Sequence, residues 1–405
     1  MKIQINIGSL FPILILYYGL INTSVAQNSK TDTIPQVDIG NYIRGITGIK
    51  EKAINDTSYK KSRGPFTTIL PYPGYSSVSG FFFGVTNNIS FYTLRTDSSK
   101  MSVILVSDQY SQNNQLVNVI NSNIWTNDNK FNLIGDFSYS IFPTNTYGLG
   151  STSLLTDATS IDYDHLRIDE AVMRKISNNF YIGGGYNLDY FWNIKELKDN
   201  ENQITDLDQY GYSPKSTASG FTINAEYDNR LNSNNPENGS FVNLQIRDNT
   251  SILGSDNDWK SLVLDARHYF KLSDESDNVL AVWSYDWLTI DGTPPYLDLP
   301  SIGEDAYNNT ARGYVQGRYR GLEFLYAEAE YRFRILNNGF LGGVAFGNAS
   351  SFPEYPNHKF TNIDPAIGAG LRIKMNKKSN VNLCMDYAIG INGSKSFIFN
   401  LREVF

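Results

Sequence analysis

The sequence predicts an all-β fold, a transmembrane antiparallel β-barrel of about sixteen strands. Three observations lead to this prediction. Short segments alternate apolar and polar residues, aromatic residues make up 14% of the 405 residues, and the predicted connections alternate between short and long. A membrane barrel has a polar lumen, an apolar outer face and aromatic belts at both interfaces, so it accounts for all three.

The first 26 residues predict a secretory signal peptide. Lys2 supplies the charged start, residues 10–21 form an apolar core, and small residues precede Gln27. The alternative is a single membrane anchor, which is disfavoured because a span needs about 20 apolar residues. We assign the polar, proline-containing residues 27–76 to a short periplasmic lead-in, partly disordered, and residues 77–405 to the barrel.

Residues 261–272 illustrate the alternation that predicts strands. Leucine, alanine, histidine and phenylalanine occupy one face of this segment, and Asp265 and Arg267 lie on the other. Because successive strand residues point to opposite faces, the segment has one apolar and one polar side. A secreted β-sandwich shows the same alternation, but charged residues in mid-strand, such as Glu330, favour a barrel whose polar side lines a lumen.

The strands are expected at approximately 78–85, 89–96, 101–110, 115–126, 130–142, 160–176, 179–195, 219–230, 240–249, 259–272, 278–290, 320–335, 338–349, 364–376, 380–391 and 396–405. Residues 80–94 also fit one long strand. The four longest predicted connections are 144–159, 195–219, 291–319 and 350–363, and all fall at the outer end. A membrane barrel sorts its connections in this way, whereas a sandwich has no reason to do so.

Charge and residue usage exclude several functions. A net charge of −7 argues against nucleic acid as a partner, and the single cysteine, Cys384, allows no intramolecular disulfide. His165, His268 and His358 have neither metal-ligand spacing nor a recognised catalytic neighbour. We therefore predict that the protein is not an enzyme and uses no cofactor or metal. A remote alternative is an outer-membrane hydrolase with Ser/His catalysis across strands.

Four motifs within residues 77–405 resemble those of the bacterial surface-antigen (BamA/TamA-like) outer-membrane barrels. They are Asp-Asn-Arg at 228–230 with Asn-Pro-Glu-Asn-Gly at 235–239, Ala-Arg-Gly-Tyr at 311–314 with the basic stretch 317–321 and the strand motif 329–333, Gly-Ala-Gly-Leu-Arg at 368–372, and the closing strand 397–405. Each motif is weak alone, but together they follow the order of the family. The usual periplasmic polypeptide-binding domains of the family are not expected in the short lead-in.

The resemblance implies a sixteen-stranded barrel in the bacterial outer membrane whose long outer loop, 291–319, folds back into the lumen. It also implies that the loop motif Arg312, Gly313 and Tyr314 docks on the inner wall. The alternative is that Arg312 is an ordinary solvated arginine.

The inner-wall partners that we assign to this motif are Glu328, Glu330, Asn348 and Arg372. Glu330 is expected to hold the Arg312 guanidinium in a bidentate, charge-assisted pair. Asn348 stands where the family carries an acidic residue, and we expect its side chain to accept a hydrogen bond from Arg312.

The resemblance further implies a weakly paired seam between the first and last strands. We expect the opening segment with Gly80, Phe82 and Gly84 to pair with the closing strand, which carries Phe399 and Phe405. Glycines weaken a strand, so such a seam can open. In the closing strand, Phe397, Phe399, Leu401, Glu403 and Phe405 are expected on the lipid side. The strand also resembles the recognition signal that barrel-insertion machinery reads.

The predicted function is to assist the assembly or export of a polypeptide, or a lipid, at the outer membrane. The expected partners are outer-membrane lipid, the barrel-insertion machinery during biogenesis, a polypeptide client and a periplasmic helper protein. The alternative is a passive or gated diffusion pore, because a sixteen-stranded barrel can hold an aqueous channel. A loop that plugs the lumen would distinguish the two functions.

Overall fold

The computed structural model describes residues 35–48, 64–76, 79–94, 99–198, 204–273, 278–305 and 309–405. The predicted signal peptide lies outside these residues. The strands, in chain order, are β1 Phe66–Ser76, β2 Gly80–Phe91, β3 Ser102–Ser111, β4 Leu116–Trp125, β5 Phe131–Ile141, β6 Thr144–Thr146, β7 Thr159–Ser177, β8 Phe180–Leu197, β9 Ser216–Asp228, β10 Gly239–Asn249, β11 Trp259–Lys271, β12 Val279–Gly292, β13 Glu323–Arg334, β14 Leu341–Ser351, β15 Pro353–Glu354, β16 Lys359–Phe360, β17 Asp364–Asn376, β18 Val381–Gly390 and β19 Lys395–Asn400.

Sixteen of these strands form a nearly closed antiparallel barrel, which confirms the predicted fold class. Each long strand pairs with the next along the chain, from β1–β2 to β18–β19. The short β6 extends the β5 side of β7, and β15 pairs with β16 in a separate hairpin. The four longest connections, 142–158, 198–215, 293–322 and 352–363, all lie at one end of the barrel, as predicted. We call this the long-loop end.

In the part of the chain that the structure describes, two short α-helices lie outside the wall. Helix α1, Ile39–Thr47, begins at Asp38, whose side chain accepts from the Asn41 amide in a capping box, and ends at Gly48. It sits below the short-turn end, where Val37 N donates to Asn338 O at 3.0 Å. Helix α2, Asp206–Tyr210, belongs to the long connection after β8. Within the described residues, no helix has both the length and the apolarity needed to cross a membrane.

The first strand differs from the prediction. Strand β1 lies at Phe66–Ser76, inside the segment assigned to the periplasmic lead-in, and the two predicted segments 78–85 and 89–96 form the single strand β2. The count of sixteen therefore stands, although its first two members are different. Pro71 and Pro73 hid β1, because proline in a sequence argues against a strand unless the strand lies at an edge.

The packed interior of the molecule is its lumen. Buried aromatic residues cluster there, among them Trp283, Tyr269 and Phe324. Large apolar side chains cover the outer face instead, where Ile367 is 71% exposed. A soluble protein has the opposite arrangement, so this distribution is that of a wall whose outer side meets lipid.

Candidate functional site: a docked loop and an unpaired seam

The loop 293–322 folds into the barrel and is held in shape by its own backbone. Arg320 Nη1 donates to the carbonyls of Tyr296, Leu297 and Leu299 at 3.1, 3.2 and 3.2 Å. Its Nη2 lies 2.6 Å from a carboxylate oxygen of Glu304. One guanidinium therefore gathers four acceptors, which fixes the loop before any contact with the wall is counted.

Arg312 joins this loop to the wall and is only 1% exposed. Its Nη2 donates to Glu328 and, at 2.5 Å, to Glu330 Oε2, and its Nη1 donates to Asp386 Oδ2 at 2.6 Å. The guanidinium carbon also lies 3.5 Å from the centre of the Phe346 ring, in cation–π range. Three carboxylates from β13 and β18 thus meet one buried cation.

The four predicted wall residues lie in this cluster, but three of them bond differently from the prediction. Glu330 accepts from Arg312 through Oε2 alone, because its Oε1 accepts from Arg332 Nε at 2.5 Å, so the expected bidentate pair does not form. Asn348 does not accept from Arg312; its Nδ2 donates to the Arg312 carbonyl at 2.9 Å. Arg372 carries the same charge as Arg312 and contacts it only through a shared acid, since it donates to Asp386 at 2.5 Å and to Glu403 at 2.6 Å. An amide side chain offers both a donor and an acceptor, and Asn348 uses its donor, which bonds the Arg312 carbonyl.

Sequence reasoning missed Asp386 as a partner of Arg312. The alternation of β18 had placed it on the polar side with Asn382 and Cys384, so the face was correct. Its distance along the chain from the loop concealed the contact. The signal that was available was a single charged residue in the middle of β18.

Gly313 and Tyr314 complete the docking. Gly313 adopts φ 116°, and a Cβ there would lie 2.6 Å from the Ala366 Cβ, so only glycine fits without strain. Its amide donates to Ser396 Oγ at 2.8 Å, and the Tyr314 hydroxyl donates to the Pro365 carbonyl at 2.7 Å. The motif therefore contacts β17 and β19 as well as β13.

Residues 401–405, which we call the tail, leave the wall after β19 and enter the lumen. The expected lipid-facing positions Leu401, Glu403 and Phe405 are wrong, because these residues are buried inside. Glu403 accepts from Arg372 Nε at 2.6 Å and from Asn382 Nδ2 at 2.7 Å. A carboxylate without partners in lipid has a high free energy, whereas in the lumen Glu403 has two hydrogen-bond donors.

Phe405 ends the tail in the aromatic cluster. Its ring stacks on Trp283 with centroids 5.0 Å apart, and its carbonyl accepts from Arg332 Nη2 at 2.9 Å. The loop holds the tail as well, since Asn309 Nδ2 donates to the Val404 carbonyl at 2.8 Å. The loop, the tail and the β13–β18 wall therefore form one packed unit.

The seam of the barrel lies between β1 and β19, and no backbone ladder joins these strands within the described part of the chain. The residues assigned to it need correction. Gly80, Phe82 and Gly84 belong to β2, which pairs on both sides with β1 and β3. The physical reason is that β1 precedes them and takes the edge position. Phe399 lies on β19, at the seam, while Phe405 does not.

A cavity of about 550 Å³ opens at this seam. Leu70 and Tyr72 of β1, with Leu105 and Val117, form its lumen side, and Phe397 and Phe399 of β19 form its other side. Since the two phenylalanines point away from the lumen, the cavity extends through the gap between the strands. The apolar part of the lining, which includes Leu70, Phe397 and Phe399, lies beside polar residues such as Gln109 and Lys395.

The inner turn 229–238 bridges the seam at the opposite end from the long loops. Asn234 accepts from Asn88 Nδ2 of β2 at 3.0 Å and donates to the Ser379 carbonyl, between β17 and β18, at 3.2 Å. Its own carbonyl accepts from the Glu403 amide at 2.8 Å. One buried asparagine thus links both sides of the seam, and it lies between the two halves of the motif that the sequence analysis identified at 228–230 and 235–239.

The outer connections form a cap over the docked loop. Arg318 donates to the Ser153 hydroxyl at 3.0 Å and to the Ser153 carbonyl at 2.7 Å. Within the loop, burial raises the pKa of Tyr319 to about 12. Burial, together with the nearby charge of Asp189, also raises the pKa of Asp298 well above its ordinary value. The surroundings of these two side chains therefore disfavour the negative charge that ionisation would add.

The histidines lie apart from the docked loop motif. His165 stacks on Phe191 at 3.9 Å and contacts Asp189 at 3.0 Å. His268 Nδ1 lies 2.6 Å from Ser240 Oγ on the outward side of the wall. Among the described residues no three acidic, histidine or cysteine side chains converge as a metal site.

This architecture is similar to that of known proteins. A family model described as the Omp85 superfamily domain matches residues 82–396. Among solved structures, CdiB from Acinetobacter baumannii aligns at 11% identity and a TM-score of 0.51, covering 84% of this chain and 60% of that one. CdiB from Escherichia coli aligns at 9% identity and a TM-score of 0.53, covering 83% and 60%.

BamA from Haemophilus ducreyi, solved without POTRA domains 1–3, aligns at 15% identity and a TM-score of 0.49, covering 84% of this chain and 69% of that one. This chain thus spans 60% of the length of each CdiB chain, and the likeness to CdiB supports the fold. No curated protein gives a significant match. Because the family model covers most of the barrel, the chain belongs to the Omp85 superfamily and is an outer-membrane β-barrel.

Proposed function

We propose that this barrel inserts or moves an extended polypeptide at the outer membrane, and that the polypeptide engages the seam between β1 and β19. The observation that carries the proposal is the missing backbone ladder at this seam, beside a cavity of about 550 Å³. Backbone groups at membrane depth must be hydrogen-bonded. An added strand satisfies such an edge completely.

The alternative of an open diffusion pore is less well supported. Arg312, Tyr314 and Tyr319 of the long loop are buried inside the barrel, and the tail fills the space beside Trp283. Both obstruct the lumen. We therefore expect small, flickering conductance from the purified protein in planar bilayers, whereas large, stable conductance would favour the pore.

The proposal makes the protein a non-enzymatic assembly or export factor. Its proposed partners are a polypeptide client, the insertion machinery that assembles the barrel, and a helper on the periplasmic side. Helix α1, which packs below the short-turn end through Val37 and a Tyr42–Phe340 ring contact at 4.3 Å, offers a surface for such a helper. A lipid client remains an alternative outcome.

In-cell photocrosslinking tests the proposal. A photoreactive residue replaces Phe399 at the seam, and in a matched control it replaces Phe221, which is exposed on the outward face of β9. Polypeptide crosslinks at position 399 and not at 221 are expected. Equal labelling at both sites, or lipid products alone at position 399, would contradict a polypeptide client at the seam.

A further inference from the structure

The two edges that form the seam differ in the hydrogen-bond donors that they offer. Strand β1 meets β2 with Tyr75 opposite Phe81. The Phe81 carbonyl accepts from Gln112 N at 2.7 Å, so it points toward β3 and away from β1. In an antiparallel ladder the bonded pairs alternate. Tyr75 and every second residue before it therefore turn their backbone groups toward the seam.

This alternation places both prolines of β1 on the seam edge. The seam-facing positions are 67, 69, 71, 73 and 75, and two of them, Pro71 and Pro73, have no N–H. Their carbonyls can accept, but they cannot donate. The edge of β1 is therefore complete only near Thr67 and Ile69 and again at Tyr75.

On β19, by contrast, every seam-facing residue has a backbone N–H. Gly390 N donates to the Ser394 carbonyl at 3.0 Å, and the ladder continues with Ala388 opposite Ser396. Ser396, Ile398 and Asn400 therefore bond to β18. The alternate residues, 395, 397 and 399, turn both N–H and C=O toward the seam, and none is proline.

The prolines also lie where closure would have to occur. Strand β1 reaches the long-loop end at Ser76, and β19 begins at that same end with Lys395. The six residues of β19 therefore run beside the half of β1 that contains Pro71 and Pro73. Direct closure would leave carbonyls of β19 without donors, which explains physically why the two strands form no ladder.

We propose that the seam accepts an extended polypeptide on one edge only, at Lys395, Phe397 and Phe399 of β19, while Pro71 and Pro73 exclude a full ladder on β1. This inference rests on the proposed function and adds the docking edge to it. The occupant is a polypeptide because only another backbone supplies donors and acceptors at the strand repeat. The cavity lined by Leu70, Phe397 and Phe399 would receive its alternate apolar side chains.

The test uses the full chain in lipid nanodiscs and a defined probe. The probe is a synthetic peptide copying residues 66–76, with threonine in place of both prolines and a central photoreactive group. The control peptide is N-methylated at its four central residues and so lacks donors on both edges. We expect the probe to crosslink to β19 and to bind about tenfold more tightly than the control peptide.

Paired substitutions separate the backbone from the side chain. Phe397→Pro removes the ring and the seam-facing N–H, whereas Phe397→Thr removes only the ring. On the other edge, Ile69→Pro and Ile69→Thr form the corresponding pair. We expect Phe397→Pro to weaken probe binding about tenfold relative to Phe397→Thr, and Ile69→Pro to match Ile69→Thr.

Several outcomes would overturn the inference. Probe crosslinks that map to β1, or equal losses of probe binding in the two proline variants, would do so. Absence of probe binding to the unmodified barrel would do so as well. Barrel-to-barrel crosslinks at β19 would instead identify a second copy as the occupant. The peptide pair keeps the test decisive if a proline variant fails to fold. Client crosslinks at position 399 in cells without this edge preference would refute the docking edge and leave the proposed function intact.

Discussion

The two sides of the lumen are built differently. Strands β13 and β18 carry the three buried carboxylates that hold Arg312, with β14 and β17 between them, and Phe405 of the tail packs near this region. Strands β1 to β4 face a cavity lined by Leu70, Leu105 and Val117. We call the first the charged wall and the second the cavity wall. One half of the barrel is therefore held by buried ion pairs, whereas the other half ends at an edge strand that forms no ladder with β19.

The largest effect is expected from Arg312→Ala. Removing the guanidinium leaves Glu328, Glu330 and Asp386 buried together without their shared cation, which costs about 4 kcal/mol of unfolding free energy. Loss of heat-resistant migration on gels and increased bilayer conductance are expected together. The exposed Arg174 on β7 supplies the control, Arg174→Ala, which should match the unmodified protein. Unchanged behaviour of Arg312→Ala in both assays would remove the charged wall from the comparison.

Phe405→Ala is expected to have the next largest effect. It empties the space beside Trp283 and should lower the unfolding free energy by about 3 kcal/mol, measured by urea titration. Phe221→Ala, on the outward face of β9, should change stability far less. Equal losses would mean that the inward position of the tail contributes nothing particular to stability. If insertion into the membrane falls instead, while the inserted protein keeps its stability, Phe405 acts chiefly as a recognition signal.

Asn234→Ala tests the link between the two walls. The substitution removes the side-chain bonds to Asn88 and to the Ser379 carbonyl, which together should contribute about 1–2 kcal/mol. Because this link spans the seam, we expect stronger crosslinking at Phe399 as well as lower stability. Asn238→Ala, an exposed residue of the same turn, is the control. Lower stability without a change in crosslinking would show that the turn stabilises the barrel but does not restrain the seam.

Asp298→Asn should have the smallest effect of these substitutions, and its effect on stability should depend on pH. Burial raises the folded-state pKa of Asp298 above its unfolded value, so the folded protein holds this proton more tightly than the unfolded chain. Stability is then lost as pH rises above the ordinary aspartate pKa toward the folded pKa. The asparagine variant should lack this loss. Urea titrations of both proteins across a pH series measure it, and parallel pH profiles would contradict the assignment.

Residue periodicity and loop length alone predict the barrel. Alternating polarity fixed which residues face the lumen along β10 to β18, because a strand has a period of two whatever lies beside it. Loop lengths gave the strand count and the end at which the long loops lie. The Arg-Gly-Tyr motif and its acidic partners on β13 were also found, since each belongs to a short, local pattern.

The positions of the seam and the tail depend on contacts between segments that are far apart in the chain. Alternation continued through residues 401–405 predicted a lipid-facing Phe405, but the chain turns inward where Arg332 and Arg372 offer partners to its carbonyl and to Glu403. The same holds for β1, whose prolines exclude an interior strand and suit an edge. Whether a strand lies at an edge depends on which strands surround it, and that is a property of the closed barrel that no local pattern contains.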